Sequence, residues 1–439
     1  MPSSPSCSSP FSSSSSPEPT GCRARPVSTG RCCFGAARGP FHASLKGRNL
    51  QEVALVAIPD FKQQFAALIA APSVSCTQPH WDQTNRPVIE LLAAWLGDLG
   101  FACETQQVAP GKFNLLASYG SGPGGLVLAG HSDTVPYDAG LWNSDPLRLR
   151  EADDRWYGLG SCDMKGFFAL AIEAVRTLLD QPFRQPLLIL ATCDEESSMS
   201  GARALAAAGR PLGRAAVIGE PTGLRPVRLH KGIMMERLDI LGQSGHSSNP
   251  AYGHSALEAM HAALGELIAL RGQWQREYSN PLFDVPTPTL NLGCIHGGDN
   301  PNRICGQCAL EFDLRPLPGM DAESLRTAIR QRLAPVAEQH QVKIDLGPIF
   351  PSVPAFEQRA DSELVRLAER LTGHQAEAVA FATEAPYLQQ PGCQTLVLGP
   401  GDIACAHQPD EYLELARIEP TLGLLRSLIE HYCLRPAHA

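Results

Sequence analysis

Residues 189–198 read ILATCDEESS, an apolar strand pattern running straight into three acids, Asp194, Glu195 and Glu196. Adjacent like charges repel, and they persist where metal charge neutralises them. The arrangement recurs along the chain. The run LVLAG ends in His131-Ser132-Asp133, AAVIG ends in Glu220, and TLVLG leads through GPGDIACAH to His407. Asp163 stands in the Gly-flanked loop YGLGSCDMKG, just before a helical pattern. Ligands in open α/β sheets gather at the carboxyl ends of the strands, so a single sheet edge would collect all of these groups. A lone histidine at a strand end is more often a polar cap; the combination is what points to chemistry. Two histidines with several carboxylates form a donor set for Zn2+ or a similar first-row ion. His131 and Asp133, at i and i+2 of an extended segment, point the same way. Asp133 is therefore expected to accept a hydrogen bond from the second ring nitrogen of His131 and fix its tautomer. Glu195 and Glu196 are neighbours on such a segment and diverge. One can bind a metal while the other faces a water.

The elements that must position these residues alternate. FKQQFAALIAAPS and NRPVIELLAAWLGDLGF read as helices, the second with Val88, Leu91, Leu92, Trp95 and Leu96 at helical spacing. GGLVLAGHSD, PLLILATCDEE and RAAVIGE read as strands, separated by the helices MKGFFALAIEAVRTLL and SGARALAAAG. Apolar strands alternating with helices predict an α/β fold, a mostly parallel sheet sandwiched by helices. The pattern changes near residue 230. MMERLDILGQSGHSS, TPTLNLGCIHGG and CALEFDLRP read as strands. SALEAMHAALGELIALR reads as an amphipathic helix with Leu257, Met260, Leu264, Leu267 and Ile268 inward, and AESLRTAIRQRLAPVAEQ as another helix. This predicts a smaller α+β domain at residues 230–347, inserted between catalytic segments 53–229 and 348–439. The last segment returns to the first pattern with SELVRLAERLTG, CQTLVLGPG and PTLGLLRSLIEHY.

The chain has 439 residues and a net charge of −9, which argues against nucleic acid as a partner. It has no apolar run of about 18 residues, so no membrane span is expected. Residues 1–50 carry 12 Ser, 7 Pro, six basic residues and one acid. Such a composition cannot bury a core, so residues 1–52 read as a disordered leader; an Arg-rich, Ser-rich, acid-poor stretch also describes a transit peptide. Of fourteen cysteines, Cys7, Cys22, Cys32 and Cys33 lie in the leader; the other ten, scattered through a long chain, fit reduced thiols in the cytoplasm. Cys305 and Cys308 have the spacing of half a zinc claw, but no second pair follows. Strand alternation places Cys308 with Leu310, Phe312 and Leu314, and Cys305 on the opposite face.

The segments AGHSDTVP, YGLGSCDMKGFFA, LATCDEESSMSGA, IGEPT, GQSGHSS, NRI, ATEAP and AHQPDEYLE resemble those of the M20-type family of dinuclear zinc amidohydrolases and exopeptidases. The resemblance implies two Zn2+ per subunit, with Co2+ able to substitute. It implies that Asp163 bridges them, that His131 and Glu220 complete one site, and that Glu196 and His407 complete the other. Glu195 becomes the general base and Asp133 orients His131. His246 would reach the active site of a partner subunit and polarise the scissile carbonyl. Asn302 and Arg303 would hold the substrate, Arg303 in the bidentate way that suits a carboxylate.

Blander roles remain open for several residues. His246 is also a polar turn residue in GHSS, Arg303 a salt-bridge partner, and Glu384 in ATEAP a helix-start acid. In the pocket, Glu384 would suit a substrate amine. His230 and His296 lack carboxylate company and read as structural. ATEAP and GPGDIACAHQPDEYLE resemble the branch that acts on N2-acetyl-L-ornithine, releasing acetate and L-ornithine in arginine synthesis. N-acetylcitrulline, other N-acylamino acids and dipeptides are alternatives on the same frame. A catalytically dead binding protein is the alternative outside it, and the intact Glu195 and ligand set argue against that. The expected partners are a small N-acetylated amino acid and a second copy of the chain, docked through the inserted domain.

Overall fold

Two helices lead into the sheet. α1 (Phe61–Ala70) starts at Asp60, whose carboxylate accepts the Gln63 N–H in a capping box. α2 (Arg86–Asp98) buries Val88, Ile89, Leu92, Trp95 and Leu96 along one stripe. The structure, a computed structural model, describes residues 58–389 and 392–435. The expectations for residues 1–52 lie outside the described residues.

Strands β1 (Ala102–Ala109) and β2 (Lys112–Tyr119) form a hairpin that the sequence reading does not assign; Pro110-Gly111 makes its two-residue turn. The signal was the Pro-Gly pair between two strand-like runs. β3 (Leu126–His131), β4 (Arg150–Ala152), β5 (Arg155–Tyr157), α3 (Gly166–Arg176), β6 (Leu187–Thr192), α4 (Ser200–Ala208), β7 (Ala215–Ile218) and β8 (Val227–His230) follow. Next come β9 (Met234–Leu241), α5 (Ala256–Glu277), β10 (Thr289–Gly297), β11 (Gln307–Arg315), α6 (Ala322–His340) and β12 (Lys343–Pro348). The chain ends with β13 (Phe356–Glu357), α7 (Glu363–Thr372), β14 (Glu377–Val379), α8 (Ala385–Leu388), β15 (Gln394–Val397), β16 (Tyr412–Glu414) and α9 (Ile418–Ile429).

The main sheet runs β1-β2-β6-β3-β7-β15-β8-β13, with β14 added on β8. Its centre, β6-β3-β7-β15, is parallel. Both of its faces are covered, as the all-apolar strands require. Leu126 and Leu128 of β3 pack with Ile189 and Val217 beneath α1, α2, α3 and α9. Val127 and Ala129 point the other way, with Leu190, Ile218, Leu205 of α4 and Leu388 of α8. The fold is thus α/β, a mostly parallel sheet between helices, with additional antiparallel sheets. Residues 234–348 build one of these, a four-stranded sheet in the order β10-β11-β9-β12. It has its own apolar cluster, in which α5 and α6 meet Leu238, Ile240, Leu310 and Phe312. Among the described residues no helix is long and apolar enough to cross a membrane.

Two expectations are corrected here. In α5, Met260 and Leu267 are buried and Leu264 is partly so, but Leu257 and Ile268 are exposed. The inward stripe runs instead through Ala256, Ala259, Met260, Ala263, Leu267, Leu270 and Trp274. Small alanines let the helix sit close on the sheet, so counting only large apolar residues rotated the predicted face. Cys305 is not on the opposite face from Cys308; both belong to the same apolar cluster. Cys305 precedes the first residue of β11, so strand alternation does not govern it.

His230, at the end of β8, is fully buried. Its Nδ1 lies 2.8 Å from the Lys231 carbonyl, and Nε2 accepts the Thr383 N–H at 3.3 Å. Burial holds the ring neutral, with its pKa pushed down to about 4. An unfolded histidine takes up its proton near pH ~6.5. Stability present above that pH is therefore lost as pH falls toward 4, by about 3 kcal/mol in all. Urea unfolding as a function of pH should show this loss, and His230→Gln, which keeps a donor and an acceptor, should lessen it.

Candidate metal centre

The carboxyl ends of the parallel strands carry the acids and histidines. His131 is the last residue of β3, Glu195 and Glu196 follow β6, Glu220 follows β7, and His407 follows β15. Asp163 sits just before α3. Its two oxygens face different histidines: Oδ1 lies 3.1 Å from His131 Nε2, and Oδ2 lies 3.3 Å from His407 Nε2. Glu220 Oε2 is 3.9 Å from His131 Nε2, and Glu196 Oε1 is 3.0 Å from His407 Nε2. His131, Asp163 and Glu220 make one group whose donor atoms lie within 4.8 Å of one another, and Asp163, Glu196 and His407 make a second.

The donor set fits metal cations. Three carboxylates and two imidazoles converge, and Glu220 Oε1 is buried without a hydrogen-bond partner. Burial and the charge of Asp163 push Glu220 well above the usual carboxylate range. Burial acts on Asp163 in the same sense, but the hydrogen bonds to His131 and His407 outweigh it and hold Asp163 below that range. Bonds to Asp163 and Glu196 lift His407 to about 10. These three groups are tuned by burial and by their neighbours, and added positive charge would relieve the acids.

One expected bond is not made. His131 Nδ1 lies 3.0 Å from the backbone carbonyl of Asp133 and 3.8 Å from its carboxylate. The chain bends at Ser132, directly after β3, and brings the carbonyl within reach. The carboxylate instead accepts the Glu196 N–H at 3.1 Å. Glu195 is half-buried. Burial, Glu196, Asp133 and Glu384 raise its pKa well above normal, against His131. Beside Glu195 and Glu196 opens a cleft of about 340 Å³, walled by Ile233, Met235, Phe350, Pro351 and Val353.

Glu384 is buried just ahead of α8, yet it makes no side-chain cap. It accepts the Thr192 hydroxyl at 2.7 Å through Oε2, and its Oε1 is unpartnered. Burial pushes it up to about 7. The structure does not bring His246, Asn302 or Arg303 into the cleft. They stand together elsewhere: His246 bridges Arg303, and Ser247 N–H donates to the Asn302 carbonyl. Arg303 pairs with Asp299 at 2.5 Å. His296 is exposed.

Asp194, the first of the three acids, has its own partners. Its φ of +56° is left-handed, a costly region for a residue with a side chain. Lys112 reaches it from β2 at 2.7 Å while also binding Asp82 at 2.6 Å. Ser75 and Ser200 hydroxyls each donate to it at 2.9 Å. Nothing local marked Lys112, a lone cation at a hairpin turn. Lys112→Met leaves Asp194 buried and unpaired, and urea unfolding should show a loss of about 3 kcal/mol.

The fold and its paired carboxylate–histidine groups are those of a metallohydrolase. Residues 127–431 match the model of peptidase family M20/M25/M40, and the chain belongs to that family. It is a hydrolase acting on amide bonds. It is 51% identical over 380 residues to acetylornithine deacetylase of Edwardsiella ictaluri (strain 93-146), covering 86% of this chain and 99% of that one. It is 50% identical over 378 residues to the acetylornithine deacetylase of Klebsiella pneumoniae (strain 342), covering 86% and 98%. Solved structures share the fold at low identity. Aminopeptidase PepT from Bacillus cereus ATCC 10987 has a TM-score of 0.67 at 19% identity, over 85% of this chain and 98% of that one. The M20 family metallo-carboxypeptidase Sso-CP2 from Sulfolobus solfataricus has a TM-score of 0.65 at 16% identity, over 85% and 99%.

Proposed function

We propose that the chain hydrolyses N2-acetyl-L-ornithine to acetate and L-ornithine. The observation that carries this is identity near one half across almost the full length of acetylornithine deacetylases. In this reading two Zn2+ ions, replaceable by Co2+, are held by His131, Asp163 and Glu220 and by Asp163, Glu196 and His407. Bound metal would supply Lewis-acid polarisation of the amide and a water of lowered pKa. Glu195 takes the proton from the attacking water and delivers it to the leaving nitrogen. Asp133 positions His131 through its carbonyl and Glu196 through its carboxylate.

The remaining roles extend this reading. Glu384 offers its unpartnered Oε1 to the cationic side chain of ornithine. Asn302 and Arg303, which stand with His246 outside this chain's cleft, would hold the substrate carboxylate from a partner subunit, as His246 would reach it. His246 is exposed, and its Nδ1 accepts the Ser248 N–H at 3.1 Å, which leaves Nε2 to donate the ring proton. That donor serves the oxyanion in the site of a partner subunit. Residues 230–347 form the dimerisation and lid domain. Exposed Leu257 and Ile268 on α5, exposed Ile295, and the open edge of β10 support such an interface. The reaction belongs to arginine synthesis in the cytoplasm, a setting that suits the ten free cysteines among the described residues.

A purified, metal-supplemented sample should cleave N-acetylornithine in preference to N-acetylcitrulline and dipeptides; activity confined to dipeptides would refute the reading. Glu195→Gln should keep its metal, measured by elemental analysis, while turnover falls about 10³-fold. Glu196→Gln should lose or weaken one metal. Equal metal loss in both variants would reverse the assignment of the pair.

A further inference from the structure

The chain between β15 and β16 carries His407 at a left-handed φ of +59°. Four residues later it buries a carboxylate, Glu411, at 2% exposure. Neither metal-binding group includes this carboxylate. Its Oε1 accepts the backbone N–H of Cys162 at 2.7 Å and of Asp163 at 2.9 Å. Its Oε2 accepts the N–H of Gly160 at 3.1 Å. The backbone carbonyl of Glu411 accepts a fourth, from Gly158, at 2.9 Å. Successive N–H groups turned into one concavity form a nest for an anion. Gly160 makes the nest possible: its φ is +84°, and a Cβ there would fall 2.5 Å from Lys165 Cε.

The nest has a specific placement. The last of its N–H groups belongs to Asp163, the residue whose two oxygens face different histidines. The anion that fills it belongs to the loop that carries one of those histidines. A single side chain therefore ties the backbone of Asp163 to the loop of His407. Without the tie, the pairing of Tyr412 on β16 with Tyr157 on β5 would still hold the two segments near each other, but outside the nest.

We propose that Glu411 is a positioning residue for the metal centre, setting the separation of Asp163 and His407 by filling the nest at residues 160–163. The proposal rests on the metal-binding part of the reading above and not on the identity of the substrate. It adds a buried carboxylate that binds no metal and acts only through the backbone of one that does. Groups that orient metal ligands typically change affinity by about 10–100-fold when removed.

The test is Co2+ titration of the metal-free full chain, followed by visible absorption and by calorimetry. Glu411→Gln keeps the size but turns an amide N–H against the nest. It should bind Co2+ about 10–100-fold more weakly, with a changed visible spectrum. Glu411→Asp keeps the charge and withdraws it by one methylene; it should fall between the two. Wild-type affinity and spectrum in both variants would overturn the proposal. If Glu411→Gln is insoluble, recovery of soluble protein by excess Co2+ supports it, and failure to recover shows a purely structural role and overturns it. A wild-type chain that binds no Co2+ overturns the metal reading itself, whereas a wild type that binds beside unaffected variants overturns only the assignment of Glu411.

Discussion

Buried like charge is the constraint around which this fold is organised. Asp163, Glu196, Glu220, Glu195 and Asp133 meet at one edge of a sheet whose central strands β3, β6 and β7 are almost wholly apolar and buried. Two carboxylates about 4 Å apart repel by about 4 kcal/mol at an effective dielectric of ~20. Opposite charge must therefore stand among them. His131 and His407 are placed against these acids, and the geometry turns each oxygen of Asp163 toward a different ring. The donor set fits cations because the fold holds the acids together while Glu220 Oε1 is left buried without a hydrogen-bond partner.

That holding is backbone work. Parallel strands deliver His131, Glu195, Glu196 and Glu220 to the same edge, since their carboxyl ends all point one way. The loops beyond the strands then hold strained conformations. Asp194 and His407 are both left-handed, which costs each about 1–3 kcal/mol. Lys112, Ser75 and Ser200 offset the first by satisfying the Asp194 carboxylate on both oxygens. The run of three acids is thus split three ways. Asp194 faces a lysine, Glu195 lines the cleft, and Glu196 faces a histidine.

A second polar cluster, His246 with Arg303 and Asn302, stands on the part of the chain built around the four-stranded sheet. That part keeps a separate apolar cluster and shows charged pairs such as Arg237 with Asp239 and Glu311 on its outer face. The separation of the two clusters within one chain follows from where each core closes, and motif order along the chain does not reveal it.

Much of the fold was legible because its signals are local. The apolar runs of β3, β6 and β7, the stripe of α2 and the acids after each strand are properties of a few neighbouring residues, and burial follows from periodicity. The same locality shows which residue types are suited to hold a metal and that they share one edge. It does not show which partner each one takes. Asp133 serves His131 with its carbonyl because the chain bends at Ser132. Asp194 meets a lysine from a distant hairpin, Glu411 enters a nest made by residues 160–163, and α5 turns its alanines inward. Each of these depends on groups brought together from far along the chain. Hydrogen bonds and close packing act over a few ångströms, so such pairings exist only once the strands and helices have assembled.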